Sequence, residues 1–567
     1  MTPRRRTNNS STAGIDTTKI IFLGGLGEIG RNMTLFEHGG KILVIDVGLM
    51  FPTEEMLGVD LVLPDFTYLK ERRDQVVGVL LTHAHEDHIG GLAYLLKEIN
   101  VPAIYGAKLT LGILRAKLDE HRVLDKAKLV EVAAPGKLSL GPFDLRFFNM
   151  VHSIPDCLGT HITTPAGTIF YTSDYKLDPY PIGDRPTDLE GIGEVAAHGI
   201  DLFLGDSTNA DHPGHTPSER TVGEPIHDVI RSAKGRVIVA CFASNIHRVQ
   251  QVLTAAEAEG KVVAFLGRSM LNNMRVAQEL GYVKVPDWMV VPIDQIGQYP
   301  EDKVVIISTG SQGEPLSALS LMSAREHKWV QLHKGDSVVL SATPIPGNES
   351  AVRRVIDGLF RIGAKVIAPP LNKVHVSGHA SAEDLKHMLE LVGPNWFVPV
   401  HGEYHHLALH AELAHQVGIQ PDHVIVMEDG NVLEMTDGVV KKSEQHVEAG
   451  FVFVDGLGIG DVGDEVLRDR RVLADEGVVV CVVTIDSYNG DLLAGPDVIS
   501  RGFVFGDESS EFLEEARQVV RDGLHNLADD EISDYTAVRR KVRKSLGSFV
   551  WKRTGRRPII LPIVMEV

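Results

Sequence analysis

Cysteine is scarce in this chain: Cys157, Cys241 and Cys481 are the only three in 567 residues. Far apart and odd in number, they make neither a disulfide framework nor a CxxC metal site, and they fit a reducing compartment, the cytoplasm. No apolar run is long enough to span a bilayer, which excludes a membrane partner. The start, Met1 to Thr18, carries Arg4, Arg5 and Arg6 followed by Ser, Thr and Asn, without the apolar centre of a signal peptide, and reads as a disordered arm. Aromatic residues make up only 6% and form no ladder on which bases would stack. Positive charge is in deficit: the net charge of −20 excludes a protein that coats nucleic acid through overall basicity, while leaving room for a local basic groove. What is present is ordinary for a globular protein, with 43% apolar and 23% charged residues. The length exceeds one core and implies about two to four domains.

The stretch Leu80 to Gly91, LLTHAHEDHIGG, packs His83, His85, Asp87 and His88 directly after the apolar run Val76 to Leu81. Residues two apart in an extended segment point the same way, so His83 and His85 are placed to grip one ion together. Asp87 and His88 follow where the chain turns into a helix and face a neighbouring position. One segment therefore begins two metal sites with nitrogen and oxygen ligands, suited to Zn or Mn.

Upstream, Lys19 to Gly30 (KIIFLGGLGEIG) matches the GxGxxG dinucleotide fingerprint, but Arg31 to His38 and Lys41 to Val47 read as strand, turn, strand, not as the required helix. The glycines are better explained by backbone passing close to a site, with Asp46 at the end of a buried strand orienting a ligand. His152, Asp174 and Asp206 each follow an apolar strand, the position at which α/β proteins build sites. From about 217 to 370, short apolar strands alternate with helical stretches and imply a second, parallel α/β domain. In it TGSQGEP (309–315) is a Gly/Ser-rich loop suited to an anion but without the lysine of a P-loop. His375 and His379 in KVHVSGHA and His401 in VPVHGEY again follow extended segments; His405, His406 and His410 read as solvated or packed. Residues 451–476 read as a linker. The remainder, 477–567, reads as a small α/β domain with a helix from Ser510 to about Leu527, a second capped by Ser533 or Asp534, and a closing strand. That second helix carries a basic cluster, Arg539 to Lys544, within an acidic chain.

HAHEDH with His152, Asp174 and Asp46 resembles the metallo-β-lactamase family, and Asp206 in GDST, His379 in HVSGHA and His401 in PVHGEY resemble the further motifs of the β-CASP nucleases. GGLGEIGRN, TGSQGEP, HVSGHA and the trailing domain are similar to the ribonuclease J family over nearly the whole chain. The resemblance implies an α/β fold: an αββα metallo-β-lactamase sandwich (19–216 and 371–450) with an inserted β-CASP α/β domain (217–370) and a small C-terminal domain (477–567). It implies that His83, His85 and His152 hold one divalent ion, that Asp87, His88 and His401 hold another, and that Asp174 bridges them. Asp46 and Asp206 support these ligands or a bound water. His375, Val376, Ser377, Gly378 and His379 take the substrate phosphate, with His379 beside the scissile group.

Paired ions supply water activation and neutralise phosphate charge, so no side-chain nucleophile is needed. The imidazole of His379 suits protonation of a departing 3′-oxygen. Ser377 and Gly378 suit a terminal 5′-monophosphate, and the resemblance implies a 5′-to-3′ exonuclease that also cuts internally when the pocket is empty. The residues themselves reach a metal-dependent phosphodiesterase. The resemblance adds single-stranded RNA as substrate, a role in RNA maturation and mRNA decay, a homodimer or tetramer, and other RNA-decay proteins as partners. A DNA-processing β-CASP nuclease, another hydrolase on this fold and a scaffold with an idle site are the alternatives.

Overall fold

Apolar residues at alternate positions build most of this molecule. In the strand Phe143–Met150, Phe143, Leu145 and Phe147 face one core while Phe148 and Met150 face another. The computed structural model describes residues 16–183, 185–314, 316–345, 347–486, 491–503, 508–525 and 535–567. They divide into two compact units, one of residues up to 53 with 61–452, the other of 54–60 with 453–567.

The first unit holds an eight-stranded sheet, in the order Val439–His446, Asn431–Thr436, Thr17–Gly24, Met33–His38, Lys41–Ile45, Val76–Leu80, Ile104–Gly106 and Leu129–Glu131. Facing it is a six-stranded sheet, in the order Trp396–Val400, Leu202–Asp206, Gly167–Tyr171, Cys157–Thr164, Phe143–Met150 and Gly136–Leu140. Ile20, Phe36, Leu43 and Leu80 of the first pack against Phe147, Ile162, Ile169 and Leu204 of the second, which makes the sandwich core. At about 1.5–3 kcal/mol for each large side chain buried, this interface is the main source of cohesion. The other face of the second sheet, with Phe170, Phe203 and Phe397, is covered by the helices Leu189–Ala196, Ala382–Val392 and Tyr404–Gln416.

Between the adjacent parallel strands Leu202–Asp206 and Trp396–Val400 lies the insertion. Its sheet, ordered Val262–Leu266, Val304–Ser308, Val237–Ala240, Ser337–Leu340 and Lys365–Ile367, is parallel throughout. The strands read as near-continuous Val and Ile runs because helices bury both faces. The glycine segment behaves as strand, turn, strand: Thr17–Gly24 pairs antiparallel with Met33–His38, which pairs with Lys41–Ile45.

In the second unit the sheet of Leu492–Arg501, Val478–Ile485 and Ile559–Glu566 packs one face on the helices Glu508–His525 and Tyr535–Thr554. Two readings need correction. Residues 451–476 are not a bare linker: they hold the strand Phe451–Asp455, the short strand Gly458–Ile459 and the helix Asp464–Glu476. That helix buries none of its residues fully, and Leu467, Arg470, Val472 and Glu476 are half-buried. Thr17 and Thr18 are the start of a strand, with Thr18 buried, instead of the end of an arm. Residues 1–15 of that arm and the cap at Ser533 or Asp534 lie outside the described residues.

Candidate metal centre

Strand register assembles the site. Ile45 is paired with Leu80, so Asp46 and Thr82, the residues just beyond, meet: the Asp46 carboxylate accepts from Thr82 N and Thr82 Oγ1, both at 2.8 Å. Asp206 is paired with Val400, which brings His401 beside it from nearly two hundred residues away. His152 and Asp174 follow the strands Phe143–Met150 and Gly167–Tyr171. Asp87 and His88 sit on the short helix Glu86–Ile89.

Three imidazole nitrogens meet at one point. His83 Nε2 and His152 Nε2 lie 3.0 and 3.1 Å from His85 Nδ1, and 3.6 and 3.7 Å from Asp174 Oδ2. On the other side of Asp174, its Oδ2 is 3.2 Å from His88 Nε2 and its Oδ1 3.2 Å from His401 Nδ1, while Asp87 Oδ2 is 3.6 Å from His88 Nε2 and 3.4 Å from His401 Nε2. Candidate ligand atoms thus form two groups, His83, His85, His152 and Asp174, and Asp87, His88, Asp174 and His401, that share Asp174; a third, overlapping group joins Asp174 and His401 to Asp206 and His379.

The outer nitrogens fix the tautomers. His88 Nδ1 donates to Asp46 at 2.8 Å, His152 Nδ1 to the Gly378 carbonyl at 2.8 Å, His401 Nδ1 to Thr208 Oγ1 at 2.9 Å, and His83 Nδ1 to Thr82 Oγ1 at 3.1 Å. Each Nε2 lone pair therefore turns inward. Burial first, and then neighbouring imidazoles, hold His83 and His152 well below the usual histidine range; burial brings His85 down to about 4. These three are neutral, as ligands must be. Burial also opposes charge on His88 and His401, but Asp174 and the other carboxylates outweigh it, raising His88 strongly and His401 to about 10. Asp87 and Asp174, against the pull of burial, are held below the carboxylate range by these histidines. Asp46, fully buried, is raised by its desolvation. The half of the cluster with His88 and His401 thus demands positive charge. Lone pairs converging at about 3 Å, a buried His401 Nε2 that faces Asp87 without a formed hydrogen bond, and the carboxylates of Asp87 and Asp174 together fit divalent cations.

Against this cluster sits the pair His379–Asp206, with Nδ1 donating to Oδ2 at 2.8 Å. Burial opposes charge on His379, and Asp206 raises its pKa nonetheless. Asp206, in spite of burial, is held low by His379 and His401. Gly378 lies so close that a Cβ there would stand 2.7 Å from His152 Cε1. Ser377 Oγ accepts from Asn209 Nδ2 at 2.8 Å and from His379 N at 3.1 Å, which leaves its own proton free to donate. Gly378 and His379 therefore reach the cluster. His375 does not take part in that contact: its Nδ1 is buried without a partner, and burial with Arg248 brings it down to about 3.

Sequence reasoning missed several residues. Asn32 Nδ2 lies 3.2 Å from His88 Nε2 and 3.4 Å from Asp87 Oδ2, and Lys176, fully buried, donates to the Ser377 carbonyl at 3.2 Å. Thr82 and Thr208 stood within the motifs LLTHAHEDHIGG and GDST, and Asn209 directly follows the latter, so small polar residues beside ligands were the available signal. The loop TGSQGEP is packed where it is described: Gln312 donates to Thr343 O and accepts from Ile345 N. His410 is buried against Ser207 and His406 is buried too, while His405 is half exposed. A lesser group, Asp211, His405 and His406, is a poor metal site, because His406 Nδ1 accepts from Glu403 N and its Nε2 must carry the proton.

The two-sheet sandwich with a histidine and aspartate cluster at one edge defines a metallohydrolase of the metallo-β-lactamase class. Comparison agrees: residues 26–232 match the metallo-β-lactamase superfamily, 234–359 the ribonuclease J β-CASP domain, 364–426 the Zn-dependent metallo-hydrolase RNA specificity domain and 465–567 the ribonuclease J C-terminal domain. The chain belongs to the ribonuclease J family. Ribonuclease J of Mycolicibacterium smegmatis is 45% identical over 97% of this chain and 97% of its own length. Ribonuclease J of Thermus thermophilus is 44% identical, covering 97% and 96%. Ribonuclease J2 of Bacillus subtilis is 40% identical, covering 97% and 99%. A crystal structure of a protein of unknown function from Enterococcus faecalis V583 shares the fold, with a TM-score of 0.52 at 15% identity over 75% of this chain and 100% of that one.

Proposed function

We propose that this chain is a metal-dependent ribonuclease that degrades single-stranded RNA from the 5′ end, prefers a 5′-monophosphate and also cuts internally, in cytoplasmic RNA maturation and mRNA decay. Two divalent ions, Zn or Mn, would be held by His83, His85, His152 and Asp174 and by Asp87, His88, His401 and Asp174. The observation that carries this reading is the convergence of inward lone pairs on Asp174 beside the pair His379–Asp206. When bound, such ions supply an activated water and neutralise charge on the scissile phosphate.

The chain's own groups do the rest. Asp46 holds His88, and the Gly378 carbonyl holds His152, each in the tautomer that keeps its lone pair inward. Asp206 fixes His379 through Nδ1, so that Nε2 is the nitrogen free to give a proton to the departing 3′-oxygen. Products carry 5′-phosphates. The Ser377 hydroxyl and the backbone about Gly378 form the phosphate cradle, and Lys176 fixes that loop through the Ser377 carbonyl. A homodimer or tetramer working beside other RNA-decay proteins completes the proposal. No helix among the described residues is long and apolar enough to cross a membrane.

A digest of 5′-labelled single-stranded RNA with defined ends tests it. Labelled mononucleotide is expected from 5′-monophosphorylated RNA, slower decay from the 5′-triphosphorylated form, and little cleavage of matched DNA. Equal rates on the two 5′ ends overturn the phosphate cradle, and equal cleavage of DNA overturns the substrate.

A further inference from the structure

The basic cluster noted near the C-terminus plays no part in the metal centre. It lies on the helix Tyr535–Thr554, whose Val538, Val542, Leu546 and Val550 are buried in the core of the second unit. Spacing of 3.6 residues per turn puts Arg540, Lys544 and Trp551 on the opposite face, with Arg543 on its flank. All four are exposed, Trp551 at 48%. From Tyr535 to Val567 nine Lys and Arg stand against one acid, in a chain of net charge −20.

Among the described residues, the neighbouring acids are paired with other cations. On the packed helix Glu508–His525, Glu514 is paired with Arg517 and Arg521, and Glu515 with Arg553. Glu476 takes Arg556. Arg540, Arg543, Lys544 and Lys552 have no acidic partner among the described residues. Arg540 and Lys544 are four apart and Arg540 and Arg543 three apart, and like charges at those spacings weaken a helix by about 0.2–0.5 kcal/mol. The arrangement is therefore unfavourable without an anion. Arg557 stacks its guanidinium 4.4 Å over one side of the Trp551 ring. A cation-backed, half-exposed indole is a surface on which a base stacks.

We infer that the face Arg540–Arg543–Lys544–Trp551 is an accessory RNA surface, with the three cations on phosphates and the indole on a base, engaging single-stranded RNA outside the metal centre. The inference rests on the chain being a ribonuclease.

The test compares the full wild-type chain with R540Q/R543Q/K544Q on single-stranded RNAs of about 5 and ~30 nucleotides, since binding platforms of this kind cover roughly 4–16. For the longer RNA the KM rises about tenfold, and the slope of log KM against log salt falls by about 2, at roughly 0.7 per lost phosphate contact. Turnover of the short RNA is unchanged, which shows that the fold and metal centre are intact and reports on the ribonuclease reading separately. Conservative exchange of the three cations (R540K/R543K/K544R) restores the longer RNA's KM, and W551A raises that KM without moving the salt slope. An unchanged KM and slope for the longer RNA overturn the inference, as does an equal loss on both RNAs. Wild-type binding to phosphatidylserine vesicles that the triple variant loses, with RNA kinetics unaffected, would assign the face to a membrane surface and likewise overturn it.

Discussion

Asp174 is the residue on which the site turns. Its two carboxylate oxygens face both ligand groups, and its placement after the strand Gly167–Tyr171 keeps it buried among four histidines. His379 has a different task, because its partner is Asp206 and not the ligand groups. The substitution His379→Ala is therefore expected to leave bound metal unchanged and to lower turnover by about 10²–10⁴. Elemental analysis and RNA hydrolysis on the same preparation check this, and wild-type turnover would remove the acid from the mechanism. The ligand candidates were legible because histidines two apart after an apolar run have few structural reasons to exist. Asn32 and Lys176 were not: each acts through a partner at least fifty residues away, Asp87 for one and Ser377 for the other, and although Asn32 closes the motif GGLGEIGRN its role there is not visible locally.

At the level of elements, glycines decide how closely loops approach the ligands. A Cβ on Gly48 would lie 1.7 Å from the Asp87 carbonyl, and one on Gly378 2.9 Å from His152 Nδ1. Of the glycines in the GxGxxG stretch, a Cβ on Gly25 would lie 2.4 Å from Asn32 Oδ1 and one on Gly30 2.8 Å from Met50 Cβ, while one on Gly27 would meet nothing within 4 Å, so close approach accounts for two of the three. Gly378→Ala is expected to push the phosphate loop off His152, cutting RNA turnover at least tenfold while the denaturant midpoint moves little, since only this surface loop must shift. Wild-type kinetics in that variant would show that the loop position is unimportant. Strands that alternate or run apolar were readable in sequence, including those of the inserted sheet. The helix Asp464–Glu476 was not, because it lies in a Gly- and Asp-rich stretch that reads as a connection. The short strand Lys365–Ile367 also escaped reading, since three residues are too few to show a period.

Across the whole first unit, the insertion and the sandwich are held together beneath the phosphate loop. Arg248, fully buried, pairs with Glu219 at 2.7 Å and donates to the Val374 carbonyl at 3.0 Å, while Lys176 on the sandwich side reaches Ser377. Removing one partner of a buried pair strands the other, so Arg248→Met is expected to cost about 3–5 kcal/mol of stability. Urea unfolding checks this, and a shift under about 1 kcal/mol, as for a surface pair, would contradict it. That the chain returns to the neighbouring strand after the insertion explains how His401 joins Asp206, which sequence suggested only through family resemblance.

The central claim is that the histidine and aspartate cluster binds divalent metal and that RNA cleavage depends on it. Metal bound per chain, measured together with RNA hydrolysis for the wild type and Asp87→Ala, tests it most directly. The account predicts about two ions in the wild type, fewer in Asp87→Ala, and loss of cleavage with the missing ion. Cleavage by Asp87→Ala at the wild-type rate would contradict it.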